Sequence, residues 1–380
     1  MRIQSRLPNI GTTIFTVMSA LAREHNAINL SQGFPAFDCD ERLVKLATHY
    51  IAGGFNQYAP MPGTMQLRER VAEIMSACYG ASYHPDSEIT ITAGATQAIY
   101  TALAAFINPG DEVIVFEPAY DCYVPAIEIH GGVPVYSQLG ETTFSINWKD
   151  VRSKVTAKTK AILINSPHNP SGTVISAQDL SELEKIIAGT NILVISDEVY
   201  EHMVFDGLRH ESVCRNKTLA AQSIIISSFG KTVHTTGWKI GYAVAPKEIM
   251  AEFRKVHQFL VFVVNHPLQL ALADFLSDAQ TYTHIRDFYQ RKRDLFLSLT
   301  ASSRLRPLKT SGTYFQLMSY KSVSQEPDTE FAIRLTREKK LAAIPLSVFY
   351  NDKRDGRLLR FCFAKKDETI EKAAEIINSL

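Results

Sequence analysis

Between residues 88 and 245 the sequence alternates short β-branched, mostly apolar runs with longer helical patterns, and this alternation constrains the fold most. The runs occupy residues 88–92, 113–116, 161–165, 192–195 and 223–227. A strand with one wet face alternates apolar and polar residues. Runs that are apolar without alternation belong to strands covered on both faces, as in a parallel sheet flanked by helices. Helical segments at 97–107 and 177–188 lie between them and can serve as crossovers. The fold class expected is therefore α/β, a large domain with a mostly parallel, doubly wound sheet.

Beyond residue 280 the texture changes. Residues 281–302 read as one long charged helix, 314–318 and 358–363 as strands, and 328–340 and 367–379 as helices. That is a smaller α+β unit, which the N-terminal forty residues are expected to join. A chain of 380 residues suits one large domain with a smaller companion. The expected division is 41–279 for the large domain, and 1–40 with 280–380 for the small one.

In a doubly wound sheet, ligands bind beyond the carboxyl ends of the strands, so the residues that follow each run are where chemistry is expected. After the first comes Ala93-Gly94-Ala95-Thr96-Gln97, opening a helix. Small residues let backbone N–H groups approach an anion at the positive end of the helix dipole, although such a string can equally be a tight turn. After the third comes Ser166-Pro167-His168-Asn169-Pro170-Ser171-Gly172-Thr173, a rigid turn that could hold Asn169 as a hydrogen-bond donor. After the fourth comes Ser196-Asp197-Glu198-Val199-Tyr200. A carboxylate there is either a helix N-cap or an anion that keeps a ring nitrogen protonated. After the fifth comes Ser228-Phe229-Gly230-Lys231-Thr232. A lysine in a partly dry cleft, near a second cation such as Lys239, has a lowered pKa and becomes a Schiff-base nucleophile. An anion cradle, an amide, a carboxylate with a phenol, and a lysine together suit a phosphate-bearing aromatic aldehyde.

Forty Lys+Arg against 39 Asp+Glu leave a net charge of +1, so no bulk field recruits nucleic acid or an anionic membrane. Small-molecule partners are expected instead. Five scattered cysteines, without C-x-x-C spacing, indicate neither a disulfide framework nor a metal site. Reduced thiols in the cytoplasm are the simplest reading. Residues 14–22 mimic a weak signal peptide, but Thr12, Thr13, Thr16 and Ser19 interrupt the pattern, and no apolar run has membrane-spanning length.

These strings resemble the class I and II aminotransferases of fold type I, pyridoxal 5′-phosphate enzymes. The resemblance runs from Asn29-Leu30-Ser31-Gln32-Gly33-Phe34-Pro35 to Arg360-Phe361-Cys362-Phe363-Ala364, and Ser228 to Thr232 with Thr236-Gly237-Trp238-Lys239 carries most of it. Within the family the chain is most similar to the kynurenine and glutamine transaminases and, among these, to bacterial methionine aminotransferases. Gly11-Thr12-Thr13-Ile14-Phe15, Asn56-Gln57-Tyr58 and Ala343-Ile344-Pro345-Leu346-Ser347-Val348-Phe349 place it there.

The resemblance implies roles for matching residues. Lys231 would carry the cofactor and shuttle the substrate's α-proton, Asp197 would pair with the ring nitrogen, and Asn169 and Tyr200 would bond its phenolic oxygen. Gly94, Ala95, Thr96, Ser228 and Lys239 would hold the phosphate, and Tyr120 would stack on the ring. Tyr58 would reach the partner's cofactor in a homodimer. Arg360 would grip the substrate α-carboxylate in a planar fork, aided by Gly33. The family's second arginine for a side-chain carboxylate has no match here, so acidic donors are not expected to be preferred. Ile14, Phe15, Phe34, Tyr58 and Tyr120 are expected to favour methionine and aromatic donors, unless Ile14 and Phe15 only anchor the N-terminal arm. The same site could also support β-elimination from sulfur amino acids. A cofactor-binding regulator would need a fused DNA-binding module, which a match beginning near the N-terminus leaves little room for.

Overall fold

The computed structural model describes residues 4–380. A two-residue strand, β1 (Ile28–Asn29), precedes the central sheet. That sheet comprises β2 (Ile89–Thr92), β3 (Glu112–Glu117), β4 (Val133–Gln138), β5 (Thr159–Asn165), β6 (Leu193–Asp197), β7 (Ser223–Ser228) and β8 (Gly241–Val244). Its order is β2-β8-β7-β6-β5-β3-β4. The pairs among β4, β3, β5, β6 and β7 are parallel, while β8 runs antiparallel to both β2 and β7.

The apolar runs are continuous because each strand feeds two cores. Val113 and Val115, Ala161 and Leu163, and Ile224 and Ile226 join one buried cluster; Ile114 and Phe116, Ile162 and Ile164, and Ile225 join the other. Side chains alternate faces along a strand, and here both faces are dry. The intervening helices show ordinary signals. Helix Ala177–Ile187 starts with a capping box in which the Ser176 hydroxyl accepts from the Asp179 N–H and Asp179 accepts from the Ser176 N–H. It buries Leu180, Leu183, Ile186 and Ile187 on one stripe.

Two strands were not legible as runs. β4 carries Pro134 and lies at the sheet edge, where a missing N–H is tolerated. β8 is only 4 residues long and opens on Gly241. The single helix expected over 281–302 is two, Gln280–Thr283 and Ile285–Leu299, separated at His284. The buried Tyr282, Ile285, Tyr289 and Phe296 keep helical spacing across that break, so the apolar pattern does not reveal it.

A second, antiparallel sheet comes from the C-terminal part, β9 (Arg306–Pro307), β10 (Phe315–Ser319), β12 (Ile344–Pro345) and β13 (Leu358–Cys362), in the order β12-β13-β10-β9. Between them β11 (Leu341–Ala342) pairs in parallel with β1. Among the described residues no helix is long and apolar enough to cross a membrane, no cluster of potential metal ligands forms, and all five cysteines are unpaired.

Candidate active site

A cavity of about 330 Å³ opens at the carboxyl edge of the central sheet, within the usual range for small-molecule sites. Strand register brings its parts together: Asn165 is paired with Asp197, Asp197 with Ile226, and Gly241 lies between Thr92 and Ser228. Of the residues predicted for the site, Phe15, Gly33, Gly94, Ala95, Thr96, Tyr120, Asn169, Asp197, Tyr200, Ser228, Lys231, Lys239 and Arg360 all line this cavity.

At one end, helix Gly94–Phe106 points its first turn inward, and its N-cap residue Ala93 makes no side-chain cap. The helix start therefore leaves N–H donors for an anion. Gly94 has φ +77°, and an ideal Cβ there would sit 3.4 Å from Lys239 Nζ. Gly241 is required for a different reason, because a Cβ on it would lie 2.5 Å from the Ser227 carbonyl and 3.1 Å from the Ala95 nitrogen. The absent side chain lets β8 pass the helix start.

Asp197 ends β6 and is 4% exposed. Burial pushes its carboxyl up to about 6, opposed by a hydrogen bond from Tyr123, by the Val199 N–H and by the Lys231 charge. Tyr123 Oη donates to Asp197 Oδ2 at 2.6 Å. Tyr123 was not anticipated as a site residue. It stands edge-on to Tyr120, ring centroids 5.7 Å apart.

The Asn169 loop is fixed from below. Asn165 Oδ1 accepts from the Asn169 N–H at 2.8 Å, and Asn165 Nδ2 donates to the Asp197 carbonyl at 2.9 Å. His168 is buried, which pushes its imidazole down to about 4, so it stands neutral. Its Nε2–H donates to the Pro118 carbonyl at 3.0 Å, holding the Asn169 loop against the loop that carries Tyr120.

Arg360 lies in the middle of β13 and is 1% exposed. Nη1 donates to Asn169 Oδ1 at 2.7 Å and Nη2 to the Ser31 carbonyl at 3.2 Å, while Nε has no partner. Its guanidinium carbon stands 3.8 Å from the Phe315 ring centroid, 5.2 Å from that of Phe15 and 5.3 Å from that of Phe349. A buried cation held by neutral acceptors and aromatic faces is electrostatically incomplete, and burial lowers its pKa. The geometry suits a carboxylate arriving from the cavity.

Lys231 sits in the short helix Phe229–Thr232 that follows β7. Its pKa is lowered to about 8, chiefly by burial and further by Arg360 and Lys239, against the raising influence of Cys362 and Asp197. Nζ donates to Tyr314 Oη at 2.8 Å and to the Gly33 carbonyl at 3.2 Å. Tyr314, 83 residues away in sequence, is a second residue that sequence reasoning missed.

Three predicted residues lie elsewhere. Tyr58 is 80% exposed and edge-on to Phe262, in a separate depression with Gln57 and His266. Phe34 is exposed, its ring under the Lys365 ammonium at 4.9 Å. Ile14 packs partly buried against the core. Of the expected apolar specificity residues, only Phe15 and Tyr120 line the cavity, and Phe315 joins them.

Known proteins match this chain over nearly its whole length. A methionine aminotransferase of Escherichia coli (strain K12) is 49% identical over 378 residues, 99% of this chain and 98% of its own. A kynurenine–oxoglutarate transaminase of Dictyostelium discoideum is 34% identical, covering 96% of this chain and 93% of its own. The crystal structure of YbdL from Escherichia coli, described as identifying a methionine aminotransferase function, superposes with a TM-score of 0.98 at 49% identity, covering 100% of both chains. The family defined as aminotransferase class I and II matches residues 25–377, and this chain belongs to it: it is an aminotransferase of fold type I.

Proposed function

We propose that the chain binds pyridoxal 5′-phosphate and moves amino groups from methionine and aromatic amino acids to 2-oxo acids in two alternating half-reactions. The observation that carries this is Arg360, a buried guanidinium that among the described residues has an unpartnered Nε and no carboxylate within salt-bridge distance, facing the same cavity as Lys231. An α-amino acid presents the anion that Arg360 lacks and the amine chemistry that Lys231 suits.

The residues fit the cofactor. The uncapped first turn at Gly94, Ala95 and Thr96, with Ser228 and Lys239, would hold its phosphate. Asp197 would hold a proton on the ring nitrogen, Asn169 and Tyr200 would bond the phenolic oxygen, and Tyr120 would lie against the ring. When bound, the cofactor supplies an electron sink for the pair released as the substrate's Cα–H bond breaks. Lys231 would anchor it covalently and, once freed by the incoming amine, accept the α-proton on Nζ. Arg360 and Gly33 would orient the α-carboxylate, and the buried floor of the cavity would exclude water from the proton transfer.

Methionine and aromatic donors are supported by the apolar contacts available from Phe15, Tyr120 and Phe315, and by the name of the Escherichia coli relative. Among the described residues Arg360 is the one arginine lining the cavity, which disfavours acidic side chains. A homodimer is supported by the exposure of Tyr58, Phe259 and Phe262, large rings that a second copy would cover. Tyr58 would then serve the partner's phosphate. Five unpaired cysteines suit a cytoplasmic setting. The division into 41–279, and 1–40 with 280–380, is supported by the pairing of β1 with β11.

The test is a spectral titration of the loaded protein with single amino acids and no acceptor. Methionine and phenylalanine are expected to convert the cofactor band to that of its amine form, and aspartate and glutamate much less. Release of ammonia and pyruvate from a sulfur amino acid without any oxo acid would point to elimination instead. Lys231→Ala is expected to hold no cofactor that borohydride can fix to the chain.

A further inference from the structure

Three groups from distant parts of the sequence meet at the end of the Lys231 side chain. Nζ is 2.8 Å from Tyr314 Oη and 3.2 Å from the Gly33 carbonyl oxygen, and Tyr314 Oη is 2.5 Å from that same carbonyl. A carbonyl only accepts, so the single hydroxyl proton of Tyr314 goes to Gly33. Its oxygen is left as an acceptor facing Lys231. Tyr314 is 0% exposed and wedged among Tyr200, Tyr289 and Phe315, with ring centroids 5.2, 5.6 and 4.8 Å away, so this hydroxyl is held in place.

A neutral primary amine has two N–H bonds and one lone pair. Tyr314 Oη and the Gly33 carbonyl are acceptors for both N–H groups, which leaves the lone pair as the valence that faces the cavity. We propose that Tyr314 is a positioning residue for amino transfer: with the Gly33 carbonyl, it holds the free amine of Lys231 by its N–H groups and aims the lone pair at the substrate's α-proton. In that step the Cα–H bond breaks, the proton joins the Nζ lone pair to give an ammonium, and the bonding pair stays with the substrate carbon. The inference rests on the proposed function, since the lone pair needs an α-proton to receive.

Tyr314→Phe removes the acceptor and keeps the ring. The ionisable side chains that act on Lys231, namely Arg360, Lys239, Asp197 and Cys362, are unchanged in it, while the Gly33 carbonyl and Tyr200 lose the Tyr314 hydroxyl as a partner. In the apoprotein, the pH dependence of Lys231 acylation by acetic anhydride, read by peptide mass mapping, is expected to move down by roughly one unit, because the ammonium loses an acceptor. In the loaded enzyme, kcat for methionine is expected to fall roughly 10- to 100-fold at unchanged KM. The kinetic isotope effect from α-deuterated methionine is expected to rise. Should Tyr314→Phe not fold, 3-fluorotyrosine at position 314 weakens the acceptor without changing its shape, and a smaller shift in the same direction is expected. An unchanged acylation profile with an unchanged isotope effect overturns the proposal, as does a loss of kcat and KM together with a lowered melting temperature. If Tyr314→Phe shows the apoprotein shift while the wild-type enzyme transfers no amino group, the proposed function falls and the hold on Lys231 stands.

Discussion

Arg360 and Asn169 are bonded to each other inside the protein, Nη1 to Oδ1 at 2.7 Å, and neither is more than 6% exposed. The bond fixes the Asn169 amide with its oxygen toward Arg360, so Nδ2 is free to donate elsewhere. Because the acceptor is a neutral amide, the guanidinium keeps its full charge for a ligand. Asn169→Asp would give Arg360 the anion that a substrate supplies. That variant is expected to have a more stable apoprotein and a weaker grip on substrate. Competition with an internal carboxylate for a desolvated cation is worth about 2–5 kcal/mol, or roughly a 30- to 5,000-fold rise in KM. Thermal melts of the apoprotein and KM for methionine check both directions, and a lowered KM would contradict the reading.

Removing the guanidinium itself has a matching consequence. Arg360→Ala is expected to lower kcat/KM by roughly 30- to 5,000-fold on the same 2–5 kcal/mol. Arg360→Lys is expected to recover little of it, because an ammonium cannot form two parallel bonds to a carboxylate. It would also lose the contact of the guanidinium carbon with the Phe315 ring, 3.8 Å from its centroid. Steady-state kinetics with methionine, against the corresponding amino alcohol that lacks the carboxylate, separate this from general damage. The variants should differ from wild type far less on the alcohol.

Tyr123 tunes Asp197. Its hydrogen bond lowers the Asp197 pKa from where burial alone would put it. Tyr123→Phe therefore raises that pKa above about 6, by roughly 1–2 units if a bond to a charged group is worth about 1.5–3 kcal/mol. A protonated Asp197 cannot pair with a protonated ring nitrogen. Cofactor affinity of the variant is expected to be weak near neutral pH and to approach wild type as the pH rises. The dissociation constant of the cofactor, measured across pH, gives the answer; an acid limb that stays where it is in wild type would remove Tyr123 from this role.

How far the sequence shows all this depends on distance along the chain. Asn169, Asp197 and Lys231 are legible because each directly follows an apolar run, and sheet geometry alone sends such residues to one edge. Tyr123 and Tyr314 follow no such rule. Tyr123 is 74 residues from Asp197 and opens a helix, and Tyr314 precedes a strand of the other sheet. Only the packing of loops against that edge brings them in. Phe34 fails for the opposite reason: it is adjacent to Gly33 in sequence, but its ring turns out over Lys365, and only its backbone neighbour faces the site.

The exposure of Tyr58 makes a prediction about assembly. If its hydroxyl serves the partner's site, Tyr58→Ala and Lys231→Ala damage different halves of each shared site. Tyr58→Ala alone is expected to weaken cofactor binding by roughly 10- to 100-fold, the worth of a bond to a charged group. Mixing the two variants at limiting cofactor, under conditions that exchange subunits, is expected to raise activity above either alone, since a hybrid dimer contains one site with both Tyr58 and Lys231. A mixture no more active than its components would place Tyr58 outside the partner's site.

Asp197 also leaves a mark on the stability of the empty fold. Its folded-state pKa, about 6, is above the ordinary 3.8. The folded protein therefore binds this proton more tightly than the unfolded chain. Its contribution to stability is fully present below pH 3.8 and is lost as pH rises through about 6. The loss is on the order of 3 kcal/mol at about 1.4 kcal/mol per unit. Asp197→Asn mimics the protonated form at every pH and can still accept from Tyr123. Its apoprotein is expected to match wild type near pH 4 and to exceed it near pH 8 by up to about 3 kcal/mol. Urea unfolding at those two values makes the comparison, with other titrating groups cancelling in the difference. A gap of equal size at both pH values would mean that Asp197 is not destabilised by ionising in place. The same variant is expected to lose amino transfer, because the charge that costs the empty fold stability is the one the ring nitrogen needs.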